Sequence, residues 1–284
     1  IAILTFFVPI MGWIAGLYLS DFLDRDLDKI EKPHRPIPSG RIKPYEALVV
    51  GGIFAIIGTI FSWYLGLRTF ILVFIVALLV LTYTSLAKSR GLLGHINRGV
   101  VTVAAYLYGV FSSTIPLDAL PLYIWFLAPL FLLHDANSNL VGAIRDMEGD
   151  KKGGYQTIPV KYGLKKSILL SAFLTLLWFP LALIIPLVYS FVTEFYYYFL
   201  LIDVLILCSF YVFFFWSFKS YNRKKALHYH EFFVVERITL ASAFIVGSTT
   251  VFQGISIYLI TLLLTLFFQT TLRSRYEFKD GQFS

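Results

Sequence analysis

Residues 1–19, IAILTFFVPIMGWIAGLYL, are largely apolar and run directly into Ser20-Asp21-Phe22-Leu23-Asp24-Arg25-Asp26-Leu27-Asp28. About 20 such residues are what a helix needs to cross a hydrocarbon core of roughly 30 Å. The opening therefore reads as a membrane span that ends in a row of acids. Eight further apolar runs follow, at 46–66, 70–87, 99–115, 121–144, 167–188, 193–217, 238–253 and 255–271. Of the 284 residues 58% are hydrophobic and 14% charged, whereas a soluble domain carries about a quarter charged residues. The expected fold is all-α, a polytopic membrane bundle of about nine transmembrane helices. No low-complexity linker divides it, so residues 1–284 are expected to form one domain. For 238–271 a hairpin that does not fully cross fits nearly as well, because 238–253 is short and carries Ser242, Ser248, Thr249 and Thr250.

Basic residues set the orientation. Of 24 Lys and Arg, Arg68 alone lies on the side reached by 67–69, 116–120, 189–192 and 254. The other 23 fall in the alternate loops, 20–45, 88–98, 145–166, 218–237 and the segment after 271. Lys and Arg accumulate on the cytoplasmic side, so these loops are expected there. The net charge of +7 is then a topology signal; charges confined to short loops do not make the continuous basic face of a nucleic-acid binder. The single cysteine, Cys208, sits in an apolar run, which excludes an internal disulfide and a thiolate metal cluster. The first run has no basic segment before it and ends in acids, unlike a cleaved signal. Its abrupt start at Ile1 predicts that further chain precedes it.

Asp21, Asp24 and Asp28 are spaced by three and four, which puts them on one face of a continuing helix. Carboxylates so close repel each other unless a cation lies among them. Mg2+ prefers hard oxygen ligands and often shares its shell with substrate phosphates. A second cluster, Arg145-Asp146-Met147-Glu148-Gly149-Asp150, repeats the spacing of four. Asp135, Asn139, Gly142, Asp146 and Asp150 make one polar stripe along the fifth run, and acids inside a span face a bundle interior or wet cavity. Asp26, Glu31, Glu46 and Glu148 are expected to be merely solvated, and His134, just off the stripe, to be a hydrogen-bonded structural residue. Lys32, Arg35 and Arg41, then Lys88 and Arg90, then Arg145, Lys151 and Lys152 supply cations that suit phosphate oxygens. The expected chemistry is a divalent metal and diphosphate site on the basic side of the membrane.

These residues resemble the UbiA superfamily of intramembrane prenyltransferases. The resemblance rests on Ser20 to Asp28, on Pro33-His34-Arg35-Pro36-Ile37-Pro38-Ser39-Gly40-Arg41, and on Asp146 to Asp150. It continues in Gly154-Tyr155-Gln156-Thr157-Ile158-Pro159-Val160-Lys161-Tyr162-Gly163, and Tyr83, Lys88 and Asn97 are similar to the family's Tyr-Lys-Asn loop. Residues after 163 match in hydropathy alone. The resemblance implies a central cavity opening to the cytoplasmic side. It implies that Asp24, Asp28, Asp146 and Asp150 organise Mg2+ and the diphosphate of a polyprenyl diphosphate donor, with Ser20 and Asp21 as further metal ligands. Lys32, Arg35, Tyr83, Lys88, Asn97, Asn139 and Arg145 are the expected substrate-binding residues. Two departures stand out: Ser20 replaces the family's asparagine, and the first motif follows the first apolar run, not the second.

The implied partners are the donor, an aromatic or lipid acceptor, and membrane lipids, with no nucleic acid. The Arg-Pro-Ile-Pro-Ser-Gly and Glu-Gly-Asp stretches are closer to branches that prenylate lipid hydroxyl or carboxyl groups. An ion-coupled transporter using Asp135 and Asp203 is the alternative, but its acids would gather at mid-membrane near broken helices. A phosphatidyltransferase would carry a D-G-x-x-A-R run, which this sequence lacks.

Overall fold

In the computed structural model the described residues are 2–31, 33–82, 91–216 and 221–276, and they are helical almost throughout. In chain order the helices are α1 (Ala2–Leu23), α2 (Arg25–Glu31), α3 (Pro44–Leu65), α4 (Leu67–Thr82), α5 (Leu92–Phe111) and α6 (Leu122–Lys152). They continue as α7 (Ile158–Tyr162), α8 (Leu164–Tyr189), α9 (Glu194–Trp216), α10 (Arg223–Ser248) and α11 (Val251–Tyr276). Each apolar run of the sequence lies largely within one of the long helices. Five segments, Ile3–Leu23, Pro44–Leu65, Leu164–Tyr189, Glu194–Trp216 and Val251–Thr271, are long and apolar enough to cross a bilayer.

The helix ends follow local chemistry. Pro44 occupies the first turn of α3, where its missing N–H costs nothing. Glu46, expected to be merely solvated, accepts the Lys43 backbone N–H at 2.9 Å and so closes that turn. Asn222 caps α10 by accepting the Lys225 backbone N–H at 2.9 Å. Gly163, at φ 82, makes the left-handed corner between α7 and α8.

Helices pack α1 on α3, α3 on α4, α4 on α5 and α5 on α6; α6 carries α8 and α10, and α10 carries α9 and α11. An open, apolar groove of about 410 Å³ has Trp13 of α1 on one wall and Leu264, Thr265, Phe268 and Gln269 of α11 on the other. The order of neighbours thus returns on itself. The tightest core lies among α6, α8, α9 and α10, where Leu130, Trp178, Tyr196, Phe210, Phe214 and Phe233 are fully buried. Outer helices show the opposite pattern, with Phe6, Trp13, Ile56, Tyr64 and Leu263 exposed. A helix that is apolar all round and unburied by protein faces lipid. Cys208 is exposed on α9.

Several boundaries differ from the sequence reading, among them α5, which begins at Leu92 inside the expected loop 88–98. α6 does not stop at 144 but runs through the second acid cluster to Lys152, since charged residues end a span without ending a helix, and Lys151 and Lys152 suit its C-terminal dipole. α10 begins at Arg223, so residues 223–237 form helix and not a loop. The turn before α11 falls at Thr249 and Thr250 instead of 254. α5 and α6 approach very closely at Gly99, where an added Cβ would lie 2.4 Å from the Leu132 carbonyl oxygen. Only a small residue lets two helix backbones come so near.

Candidate functional site

The first acid cluster straddles the joint between α1 and α2. The Asp24 N–H still bonds the Ser20 carbonyl (2.8 Å) and the Asp28 N–H the Asp24 carbonyl (2.9 Å). The helical path is therefore nearly continuous, and Asp21, Asp24 and Asp28 share a face. The chain then turns at Pro33 and Pro36 and brings Arg35 back over the cluster. One guanidinium nitrogen, Nη1, donates to Asp28 at 2.9 Å and to Asp21 at 3.2 Å. Asp28 is almost wholly buried while the Asp21 side chain is 42% exposed. Burial works against charge on Arg35, but Asp28, followed by Asp21 and Asp24, outweighs it and raises its pKa. Arg35 thus supplies one positive charge to the cluster. Arg41 holds the loop itself, donating to the His34 carbonyl (2.6 Å) and to Ser39 Oγ (3.0 Å). Ser20 donates to the Gly16 carbonyl one turn back. Asp26 is exposed and pairs with Lys29 at 2.9 Å, which lowers its pKa.

The second cluster occupies the last turns of α6. Arg145 grips Asp146 through two contacts, 2.9 and 2.6 Å, and reaches His230 of α10 at 3.2 Å. Tyr221 donates to the Ile144 carbonyl at 3.2 Å; burial, and then Asp146, holds its hydroxyl above the ordinary phenol range. Asp150 is buried and accepts from Thr157 Oγ1 at 3.1 Å, while its carbonyl accepts the Tyr155 N–H at 2.8 Å. The stretch Gly154–Gly163 is therefore folded back as a brace on the second cluster. α2 packs against α6, which brings both clusters to the same end of the bundle.

Farther along the stripe, Asp135 is buried between two arginines. Arg237 of α10 donates to its Oδ1 at 2.8 Å and also to Ser138 Oγ, and Arg98 Nε of α5 lies 3.7 Å from its Oδ2. Asn139 meets His95 Nδ1 at 3.1 Å. His134 bonds Glu236 at 2.8 Å and packs edge-on against Trp178, the structural part expected of it. Asn97 keeps its Oδ1 buried with no bonded partner among the described residues. Asp203 is fully buried, and neither of its oxygens is bonded among those residues. Lys32, Tyr83 and Lys88 lie outside the described residues.

Four polar residues escaped the sequence reading as parts of a site: His95, Arg98, Glu236 and Arg237. A signal existed for one. Ala226, Tyr229, Phe233, Glu236, Leu240 and Ala243 are all buried and recur at intervals of three and four, so Glu236 lies on the packed stripe of α10.

Among the described residues no three His, Cys, Asp or Glu side chains are close enough to hold an ion by themselves. Mg2+ seldom needs such a cage; one or two carboxylates with waters and substrate phosphates suffice. Paired hard-oxygen donors, with Asp21 42% and Asp146 30% exposed at the side chain, fit that ion.

An apolar-faced helical bundle with acids and arginines gathered at one end is a polytopic membrane protein with an ionic site at its rim. A profile of the UbiA prenyltransferase family matches residues 1–235; the chain belongs to that family. It is similar to the digeranylgeranylglyceryl phosphate synthase of Methanocaldococcus jannaschii, 32% identical over 176 residues, which are 62% of this chain and 60% of that enzyme. The match thus spans about three fifths of the length of that curated relative. A solved digeranylgeranylglyceryl phosphate synthase superposes with a TM-score of 0.66 at 28% identity, over 87% of this chain and 85% of that one. A UbiA homolog from Archaeoglobus fulgidus, solved with DMAPP and Mg2+, shares the fold at a TM-score of 0.59 and 16% identity, over 85% of this chain and 88% of that one.

Proposed function

We propose that this chain transfers a polyprenyl group from an allylic diphosphate to a lipid hydroxyl, releasing pyrophosphate, with magnesium as cofactor. One observation supports the reading: α2, which carries Asp28, packs against α6, which carries Arg145, Asp146 and Asp150. Asp24, Asp28, Asp146 and Asp150 hold the metal, Asp21 assists, and Ser20, short and bonded to its own helix, contributes least. When bound, magnesium neutralises the charge that develops on the leaving pyrophosphate.

The protein's part is to bind, orient and keep dry. Arg35 spends only Nη1 on the carboxylates, and its Nε and Nη2 present the planar fork that suits phosphate oxygens. Arg145 adds a cation beside Asp146, and the donor's remaining polar contacts are assigned to Lys32, Lys88, Tyr83, Asn97 and Asn139. The carbon–oxygen bond of the allylic diphosphate breaks with its electron pair leaving on pyrophosphate. A hydroxyl oxygen of the acceptor then forms the new carbon–oxygen bond and loses its proton to the departing pyrophosphate. Apolar and aromatic walls keep water from intercepting the cationic carbon. The synthase relatives favour a glyceryl phosphate lipid over an aromatic acceptor. Nine spans, with the site at the cytoplasmic end, fit both the apolar runs and the distribution of Lys and Arg.

The test is transfer of a radiolabelled allylic diphosphate to a panel of acceptors by the purified protein, with and without a chelator. Chelator-sensitive labelling of a glyceryl phosphate lipid is expected. Labelling that ignores the chelator, or none with any acceptor, refutes the proposal.

A further inference from the structure

We propose that His230 of α10 is a positioning residue, which through Arg145 sets the orientation in which Asp146 meets the metal; this rests on the reading of Asp146 as a metal ligand and deepens it. Arg145 and Asp146 are neighbours in α6, and side chains one residue apart on a helix do not face each other. They meet closely all the same: Nε of Arg145 donates to Oδ1 at 2.9 Å and Nη2 to Oδ2 at 2.6 Å. The guanidinium must curl across the helix surface to do so, and a long side chain loses rotamer freedom when held in one such geometry. His230 offsets that loss. The remaining nitrogen, Nη1, lies 3.2 Å from Nε2 of His230 and 3.4 Å from its Nδ1. A guanidinium N–H only donates, so the ring nitrogen that it meets supplies a lone pair. All three guanidinium nitrogens are engaged, two on Asp146 and one on α10, and the plane of the fork is fixed.

The carboxylate shares that plane, because a bidentate pair is directional. Each carboxylate oxygen has two acceptor sites, so the fork does not exhaust Asp146. Its side chain is 30% exposed against 20% for Arg145. Mg2+ demands near-ideal octahedral geometry, which favours a carboxylate already turned one way over one free to rotate. Groups that orient a metal ligand from behind count for roughly 10–100-fold in affinity. A second contact comes from the same segment. Tyr221, just before the Asn222 cap of α10, donates to the Ile144 carbonyl at 3.2 Å, and its ring lies nearly parallel to that of Tyr229, centroids 6.5 Å apart. The two residues that precede Asp146 are thus both held from the start of α10, one by its backbone and one by its side chain. His228 turns outward instead, 74% exposed at the side chain and paired with Glu231 at 3.0 Å. Arg145 and His230 are 85 residues apart in the chain, so no local pattern joins them.

The experiment takes two readouts on the full chain in detergent. Without metal, a water-soluble carbodiimide labels accessible carboxylates, and mass spectrometry gives the rate at Asp146. Binding of Mn2+, standing in for magnesium, is followed by electron paramagnetic resonance. His230→Ala is expected to speed labelling of Asp146 several-fold, to leave labelling of the exposed Asp26 unchanged, and to weaken Mn2+ about tenfold. His230→Gln, whose amide oxygen accepts from Nη1, should restore both readouts, and His228→Ala should change neither. In turnover, His230→Ala should raise the magnesium needed for half-maximal rate and leave kcat at saturating magnesium near that of the wild type. Unchanged labelling of Asp146 in folded His230→Ala overturns the proposal, as does an equal loss in His230→Ala and His230→Gln, which would mark a packing role. If the alanine variant does not fold, His230→Leu, which fills the space without an acceptor, decides. Failure of the wild type to bind Mn2+ defeats the metal reading instead; labelling of Asp146 that still follows the acceptor at position 230 would uphold its orientation by His230.

Discussion

Arg35 shows how a cation organises the first acid cluster. It neutralises a buried Asp28 and a half-exposed Asp21 through one nitrogen, so its removal leaves carboxylates that repel. Arg35→Ala is expected to lower the melting temperature without metal, and magnesium should recover more of that loss than it adds to the wild type. Scanning calorimetry with and without magnesium checks this; a metal response equal to that of the wild type rules it out. In turnover the same variant should raise the donor KM about tenfold, the loss of one charge-assisted contact, more than it lowers kcat. The acids and Arg35 were legible because carboxylates at steps of three and four next to a Pro-rich basic turn have few uses. Arg98 and Arg237 were not. Each stands beside an apolar run, where a basic residue ordinarily marks topology, and only the packing of α5 and α10 on α6 turns them towards Asp135.

Helix contacts in this bundle depend on small residues and on buried polar pairs. At Gly99 an added Cβ meets the Leu132 carbonyl at 2.4 Å, whereas at Gly109 on the same helix it meets nothing within 4 Å. Gly99→Ala should destabilise by about 1–3 kcal/mol, and Gly109→Ala should be neutral or slightly stabilising. Thermal unfolding in detergent separates them; equal melting temperatures contradict the close approach of α5 and α6. His134 and Glu236 lock α6 to α10 with both partners buried. His134→Ala strands a buried carboxyl group and should cost more than Glu236→Gln, which keeps the shape and a bonding amide. Helix existence was legible from the apolar runs. The overrun of α6 to Lys152 and the early start of α10 were not, because hydropathy reports where lipid ends and the helical hydrogen-bond ladder continues past that point.

At the scale of the whole molecule, the order of helices around the bundle was beyond reach of the sequence. Periodicity names the faces that are buried but not their partners, and α1, α3 and α11 are apolar on every side. What the sequence does carry is an orientation, through its asymmetric Lys and Arg. With Cys208 replaced by serine, a cysteine at Ser39 should react with a membrane-impermeant maleimide only in opened cells, and one at Ser190 in intact cells. The reverse pattern would invert the topology. The deeper commitment is that two acid clusters more than a hundred residues apart serve one diphosphate. Pyrophosphate release from an allylic diphosphate by wild type, Asp24→Ala and Asp146→Ala, all folded in the same detergent, tests it most directly. Magnesium-dependent release by the wild type and none by either variant is the expected result; wild-type release by either variant contradicts the shared site.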